Sequence, residues 1–313
     1  VKQIINKQRR PGNKGQPASD NRQPSADRGK QPLKERKTSP HLEKAGKSSS
    51  CKYKLIIEYD GTGYSGWQVQ KNARSIQGAI LDSARELYGN DVDIQGAGRT
   101  DAGVHALAQV AHMEVPARLS ISPRKMLLDW NERLPASINI LRLEEAPADF
   151  HARHSAQARS YIYVISRRRT AFGKRYVWYV KDDLNVEMMK RTLETFNGFH
   201  DFSSFADKRI DKNLSTEVAI ESTELKVSGE LIVFRIVGSH FLWKMVRRIA
   251  GILVEAGRRN LSPADVQQLL NNHSEFPAHY TSPPSGLFLE KVIYKGEAPG
   301  LLMPPSLLPG ELL

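Results

Sequence analysis

Between residues 52 and 294 the hydrophobic period switches repeatedly between two and about 3.6 residues, and it does so in the same order twice. In the first round Tyr53, Leu55, Ile57 and Tyr59 alternate with Lys54, Ile56 and Glu58, which predicts a strand closed by Asp60-Gly61. Ile76, Ile80, Leu81, Ala84, Leu87 and Tyr88 then recur at helical spacing behind Ser75, a suitable N-cap. A short strand over 92–95, a glycine-rich loop over 96–103 and a long strand over 104–115 follow. A helix over 122–134, opened by Pro123, and a strand over 138–143 complete a β-α-β-β-α-β series. The second round has a strand over 160–166, a helix over 186–196 and paired strands over 220–227 and 231–237, joined at Ser228-Gly229-Glu230 with the length of a hairpin turn. Helices over 241–256 and 263–270 and a last strand over 287–294 close it.

An order that repeats without obvious sequence identity predicts an α+β protein: two tandem ferredoxin-like (RRM-like) units forming one extended, mostly antiparallel sheet flanked by helices, with a cleft between them. The units are expected at 51–148 and 149–296, with a tail over 297–313 whose leucines have the option of docking on the body. Residues 1–50 differ in kind. They hold 13 Lys+Arg against 4 Asp+Glu, so +9 of the net +12 sits there, and they contain no Phe, Trp or Tyr. Such a stretch cannot bury enough apolar surface to offset the entropy of ordering, which predicts a disordered basic arm. It is either a solvated tail or an arm that adds affinity for RNA. Asp20, Asp27, Glu35 and Glu43 argue against a transit peptide.

No window has the apolar length of a membrane span, and no apolar stretch at the start has the form of a secretory signal. Cys51 is the single cysteine and the nine histidines are scattered, so the expectation is a reducing, cytoplasmic setting with no disulfide and no structural metal.

Gly61-Thr-Gly63-Tyr-Ser-Gly66 matches G-x-G-x-x-G directly after a strand. The dinucleotide mechanism requires a helix to begin inside that motif, and Trp67-Gln68-Val69-Gln70 offers no helical start. A wide turn presenting Tyr64, Trp67 and Gln68 to a partner is the better reading. The run Gly96-Ala-Gly-Arg-Thr-Asp-Ala-Gly-Val-His-Ala106 is more informative. Its glycines and alanines allow close approach of a bulky ligand, and Arg99 and Asp101 are its only charges before His105. A guanidinium beside Asp101 should lower its pKa and keep it ionised, as a nucleophile needs. Ordinary turn chemistry is the alternative for an Asp in such a loop.

The run Gly98-Arg-Thr-Asp-Ala-Gly-Val-His-Ala106 resembles the signature of the TruA-type tRNA pseudouridine synthases. Similar matches are Tyr59-Asp-Gly-Thr-Gly-Tyr-Ser-Gly-Trp-Gln68, Ser75-Ile-Gln-Gly78, Phe150-His-Ala-Arg153, Arg159-Ser-Tyr-Ile-Tyr163, Phe241-Leu-Trp-Lys-Met-Val-Arg247 and Gly286-Leu-Phe-Leu289, in the family's order. The resemblance implies that Asp101 attacks the uridine, at ribose or base, that Arg99 helps extrude the nucleotide, that Tyr161 stacks on the target base and that Arg247 pairs with Asp101. Core packing for Tyr161 and a solvated helix face for Arg247 are the alternatives from the residues alone. Trp243, one turn before Arg247, is expected on the same face. Gln68, His105, Arg153 and Arg159 join the expected substrate contacts, and Arg167, Arg168, Arg169, Lys174 and Arg175 supply charge for phosphates.

The resemblance further implies tRNA as partner, a homodimer and uridines of the anticodon stem-loop as targets. The isomerisation is redox-neutral, so no cofactor is expected. His154 stands where the family usually has Phe, and 212–216 lacks an arginine that commonly precedes its threonine. Two further readings stand beside this one: a non-catalytic RNA-binding protein or a synthase acting on other RNAs. A glycosidase-like hydrolase would need a second carboxylate, for which Asp60 is the nearest loop residue.

Overall fold

The computed structural model describes residues 50–116, 122–211 and 213–305. The expected basic arm lies outside them apart from Ser50, as does Lys212. Strand β1 (Ser50–Tyr59) buries the alternate positions Tyr53, Leu55, Ile57 and Tyr59. Helix α1 (Ile76–Tyr88) is capped by Ser75, whose Oγ accepts from Gly78 N at 3.2 Å. Then come β2 (Asp93–Gly96), β3 (His105–Pro116), α2 (Pro123–Asn131) and β4 (Ile138–Glu145). The second round contains β5 (Ala158–Ser166), β6 (Trp178–Tyr179), α3 (Val186–Glu194), β7 (Gly198–Asp201), β8 (Glu217–Ser228) and β9 (Leu231–Gly238). It ends with α4 (Met245–Gly257), α5 (Pro263–Asn271), α6 (Phe276–His279) and β10 (Leu287–Ile293).

The strands form one 10-stranded sheet, ordered β4-β1-β3-β10-β5-β9-β8-β7. Strand β2 also lies on β3, so the first round reads β4-β1-β3-β2 and the second β10-β5-β9-β8, with every neighbouring pair antiparallel. This is the ferredoxin-like order twice over. The rounds join where β10 runs parallel to β3, through Phe288↔His105 and Leu289↔Ala106.

Two expectations need correction. Helix α4 begins at Met245 rather than 241, because Lys244 adopts a left-handed φ of 63° that no helix can pass through, so Trp243 precedes the helix and shares no helical face with Arg247. The hairpin turn is Gly229-Glu230, since Ser228 pairs with Leu231. Of the two options left open for the tail, docking is the one seen at Leu302, which is 2% exposed and packs with Ile162, Val164 and Phe288. Elements β6, β7 and α6 were not read from the sequence, each being too short to show a period.

A charged cluster ties the second round together. Arg235, on β9, donates from Nε to Glu290 Oε2 (2.7 Å), from Nη2 to Glu290 Oε1 (2.5 Å) and from Nη1 to Glu224 Oε2 (3.1 Å) and the Gly300 carbonyl (2.9 Å). Ser160 Oγ donates to the same Glu290 Oε2 at 2.6 Å. The Arg235 side chain is 5% exposed, and these partners offset the cost of burying its guanidinium. Replacing Glu290 by Ala should destabilise the protein by about 3 kcal/mol in urea unfolding, because a buried guanidinium loses its bidentate partner. The double replacement Arg235→Met with Glu290→Leu should recover most of that loss.

Candidate active site

Asp101 lies in the turn between β2 and β3, and its backbone is fixed from several sides. The Thr100 Oγ1 and Tyr59 hydroxyl are 2.8 Å apart, the Thr100 carbonyl accepts from Trp67 N at 3.0 Å, and the Asp101 carbonyl accepts from Val104 N at 3.1 Å. The G-x-G-x-x-G stretch serves as a seat for this turn. A Cβ at Gly61 would stand 2.0 Å from the Val104 carbonyl oxygen, and one at Gly66, where φ is +96°, 2.6 Å from that of Thr100. Only glycine permits both approaches. No helix starts until Ile76, so the mechanism of a dinucleotide site is missing. Tyr64 and Trp67 are 4% and 1% exposed, which overturns their expected presentation to a partner. Trp67 lies under the turn with its ring centroid 6.0 Å from that of Tyr59, and the Tyr64 and Ser137 hydroxyls are 2.8 Å apart.

The Asp101 side chain is 23% exposed, with Oδ2 3.6 Å from Arg247 Nη1. Arg247, in the first turn of α4, is oriented by donating from Nε to the Ser282 carbonyl at 2.8 Å. Tyr161, on β5, is buried edge-on against Phe241 at 5.0 Å between centroids. The nucleophile candidate thus comes from the first round of the chain, and its cation and the phenol from the second.

Arg99 is placed differently from the expectation. It is exposed and donates to Gln68 Oε1 at 3.1 Å; the guanidinium beside Asp101 is that of Arg247. The Asp101 carboxyl correspondingly lies above the ordinary range rather than below it. Burial pushes it up, Arg247 and Lys244 pull it back in part, and the charge of Asp207 adds to the rise. Burial and the nearby Asp101 charge raise the Tyr161 phenol, which stays protonated.

Three of the expected substrate contacts are engaged within the protein. Gln68 also donates to Gln77 Oε1 at 2.8 Å. Arg159 spends its guanidinium on the carbonyls of Ser239, Ala97 and Arg153 at 2.9–3.0 Å, bracing the loop after β2 against the second round. His105 is 1% exposed; its Nδ1 accepts from Gly61 N at 3.1 Å while Nε2 faces the Arg175 carbonyl at 3.0 Å. That pattern describes a neutral ring protonated at Nε2, so the 3.1 Å approach of Asp60 Oδ1 to Nδ1 is not an ion pair. Burial also lowers the His105 pKa. Arg153, Arg167, Arg168, Arg169, Lys174 and Arg175 are exposed, and Trp243 is 38% exposed.

Sequence reasoning missed Asp207, Arg209 and Lys244. Asp207 pairs with Lys244 Nζ at 2.8 Å and with Arg209 Nε at 2.9 Å, and the Arg209 guanidinium lies 4.1 Å over the Trp243 ring. Their loop has no period, and a left-handed lysine leaves no sequence signal. Among the described residues no group of three or more His, Cys, Asp or Glu is arranged to hold a metal.

Residues 55–155 and 193–295 match the family model described as tRNA pseudouridine synthase. A tRNA pseudouridine synthase A of Thermodesulfovibrio yellowstonii is 37% identical over 252 residues, covering 77% of this chain and 98% of the relative. Those of Geobacillus kaustophilus and Rhodopseudomonas palustris are each 39% identical, over 78% of this chain and 95% and 99% of their own lengths.

Replacing Arg247 by Met removes the foremost of the influences that lower the Asp101 carboxyl. Its titration midpoint, followed by carboxyl carbon NMR, should move upward by roughly one pH unit. A downward move would contradict the geometry.

Proposed function

This chain belongs to the tRNA pseudouridine synthase family, and we propose that it isomerises uridine to pseudouridine in the anticodon stem-loop of tRNA, with Asp101 as nucleophile. The observation that carries this reading is a single half-buried carboxylate, 3.6 Å from a guanidinium that is itself oriented by a carbonyl, beside a buried phenol. The chemistry breaks the N1–C1′ bond and forms a C5–C1′ bond at the same ribose carbon, while the proton on C5 is lost and N1 gains one. No electrons enter or leave. A nucleophile that holds the detached fragment in place is therefore the main requirement. A carboxyl raised by burial is a stronger base than an exposed one, and Arg247 stabilises the ionised form that attacks.

The uridine must leave its stack to reach Asp101. Exposed Arg99, next but one to Asp101, suits the role of occupying the vacated space, and Tyr161, neutral and edge-packed, suits contact with the extruded base. The exposed cations at 153, 167–169, 174 and 175 suit phosphate contacts. A homodimer that combines two such surfaces and a cytoplasmic location belong to the same proposal; no helix among the described residues is long and apolar enough to cross a membrane.

The hydrolase alternative lacks an acid. Burial would raise the Asp60 carboxyl, but hydrogen bonds from Thr62 and Tyr176 outweigh it and hold Asp60 below the ordinary range. An ionised carboxylate bonded at both oxygens cannot protonate a leaving group. A pure binding role gives no reason to bury a carboxylate beside its cation where RNA phosphates must approach.

Replacing Asp101 by Asn should abolish pseudouridine formation in a tRNA transcript while the circular dichroism spectrum and tRNA affinity stay near wild type. Retained turnover would refute Asp101 as the nucleophile. Release of free uracil by the wild type would refute isomerisation.

A further inference from the structure

Next to the Asp101–Arg247 pair stands a second buried carboxylate with no direct part in the chemistry above. The Asp207 side chain is 6% exposed and follows the short 3-10 turn Ser203–Phe205. Its Oδ1 accepts from the backbone N (3.1 Å) and Nε (2.9 Å) of Arg209, and its Oδ2 from Arg209 Nη2 (3.2 Å). Lys244 Nζ lies 2.8 Å from the same Oδ2, and Asp207 N donates to the Trp243 carbonyl at 3.0 Å. Arg248, 7% exposed, donates to the carbonyls of Ser204 and Ala206, which fastens the whole segment to the start of α4. The bonds from Arg209, then those from Lys244, hold the Asp207 carboxyl far below the ordinary range, so it is always charged in the folded protein.

Lys244 is the unusual member. Its backbone is left-handed, a conformation that a lysine adopts only when its surroundings enforce it. It stands three residues before Arg247, and its ammonium is felt at Asp101. The charged and titratable groups facing Asp101 are Arg247 and Lys244 from the start of α4, Asp207 and Arg209 from the segment after the 3-10 turn, and Tyr161 from β5. Asp207 and Asp101 are the two carboxylates in this set, so a lysine released from one has the other as its alternative partner. A carboxylate oxygen capped directly by an ammonium has its lone pairs engaged and is a weaker nucleophile.

We infer that Asp207 is a positioning residue for the nucleophile: by holding Lys244 at 2.8 Å it keeps that ammonium from capping the Asp101 carboxylate, leaving the oxygens open to the extruded uridine. The inference rests on Asp101 being the nucleophile. It concerns a charge that acts through Lys244, not through substrate contact.

The test is single-turnover pseudouridine formation on a tRNA transcript across pH, with the full chain carrying Asp207→Asn, Lys244→Met or both. Asp207→Asn keeps the size of the side chain and removes its charge. Its plateau rate should fall about tenfold, with tRNA affinity within about twofold of wild type. Losing a like charge and gaining a direct cation both lower the Asp101 pKa, so the acid limb should move to lower pH by roughly one unit. Lys244→Met in the Asp207→Asn background should restore most of the plateau rate. Lys244→Met alone, which poses no question of an unpaired Lys244, should move the acid limb to higher pH because a pKa-lowering cation is gone. An unmoved limb in either single variant, or failure of the double variant to recover rate, overturns the inference. Asp101→Asn is assayed beside them: turnover there defeats the nucleophile assignment itself, whereas an inert Asp101→Asn with an unmoved Asp207→Asn limb defeats this inference alone.

Discussion

Two residue pairs join the halves of the sheet. The parallel contact of β10 with β3 through Phe288↔His105 and Leu289↔Ala106 is the seam on which the candidate site depends, because Asp101 enters from one side of it and Tyr161 and Arg247 from the other. A seam this short needs reinforcement, and the side chains around it provide it. His105 stacks on Phe288 at 4.8 Å while its ring nitrogens bond to Gly61 N and the Arg175 carbonyl, and the Tyr176 hydroxyl reaches Asp60 at 3.0 Å. Arg159 does the same work from β5, with one of its bonds on Ala97. Residues expected to touch substrate thus hold together the two surfaces between which the candidate site lies.

The electrostatics follow from where this junction puts the carboxylates. Asp60, Asp101 and Asp207 are all removed from bulk water to some degree, yet they end differently. Asp60 and Asp207 receive hydrogen bonds to both oxygens and are held low, while Asp101 has one cation at 3.6 Å and is left high. The same residue type is stabilised as structure at two positions and left under-satisfied at the third. An incompletely bonded buried carboxylate costs free energy in the resting protein, which suits Asp101 to the role proposed for it.

The fold was readable because its long elements carry clear periods: β1 buries each of its alternate apolar residues, and Ser75 caps α1 as its position suggested. The repeat of order, β4-β1-β3-β2 and β10-β5-β9-β8, was legible for the same reason. Local backbone was not, and long-range charge was reached only through the family resemblance. Nothing in Phe241-Leu-Trp-Lys244 shows that a lysine will take φ 63° and delay the helix by a turn. The closeness of Arg99 to Asp101 in sequence suggested neighbouring charges, but the guanidinium beside Asp101 is that of Arg247, 146 positions away, a pairing that only the family resemblance implied. The fates of His105 and Arg159 were hidden similarly: a polar residue in a motif reads alike whether it faces a ligand or a neighbouring loop.

Because β10 follows every other described strand in the chain yet lies between β3 and β5, the candidate site cannot be assembled progressively. A ribosome-bound chain that has released everything through α4 holds Asp101 and Arg247 but lacks the strand that brings their supports into register. The support that β10 gives to the candidate site therefore arrives late in synthesis, in one step of closure between distant segments.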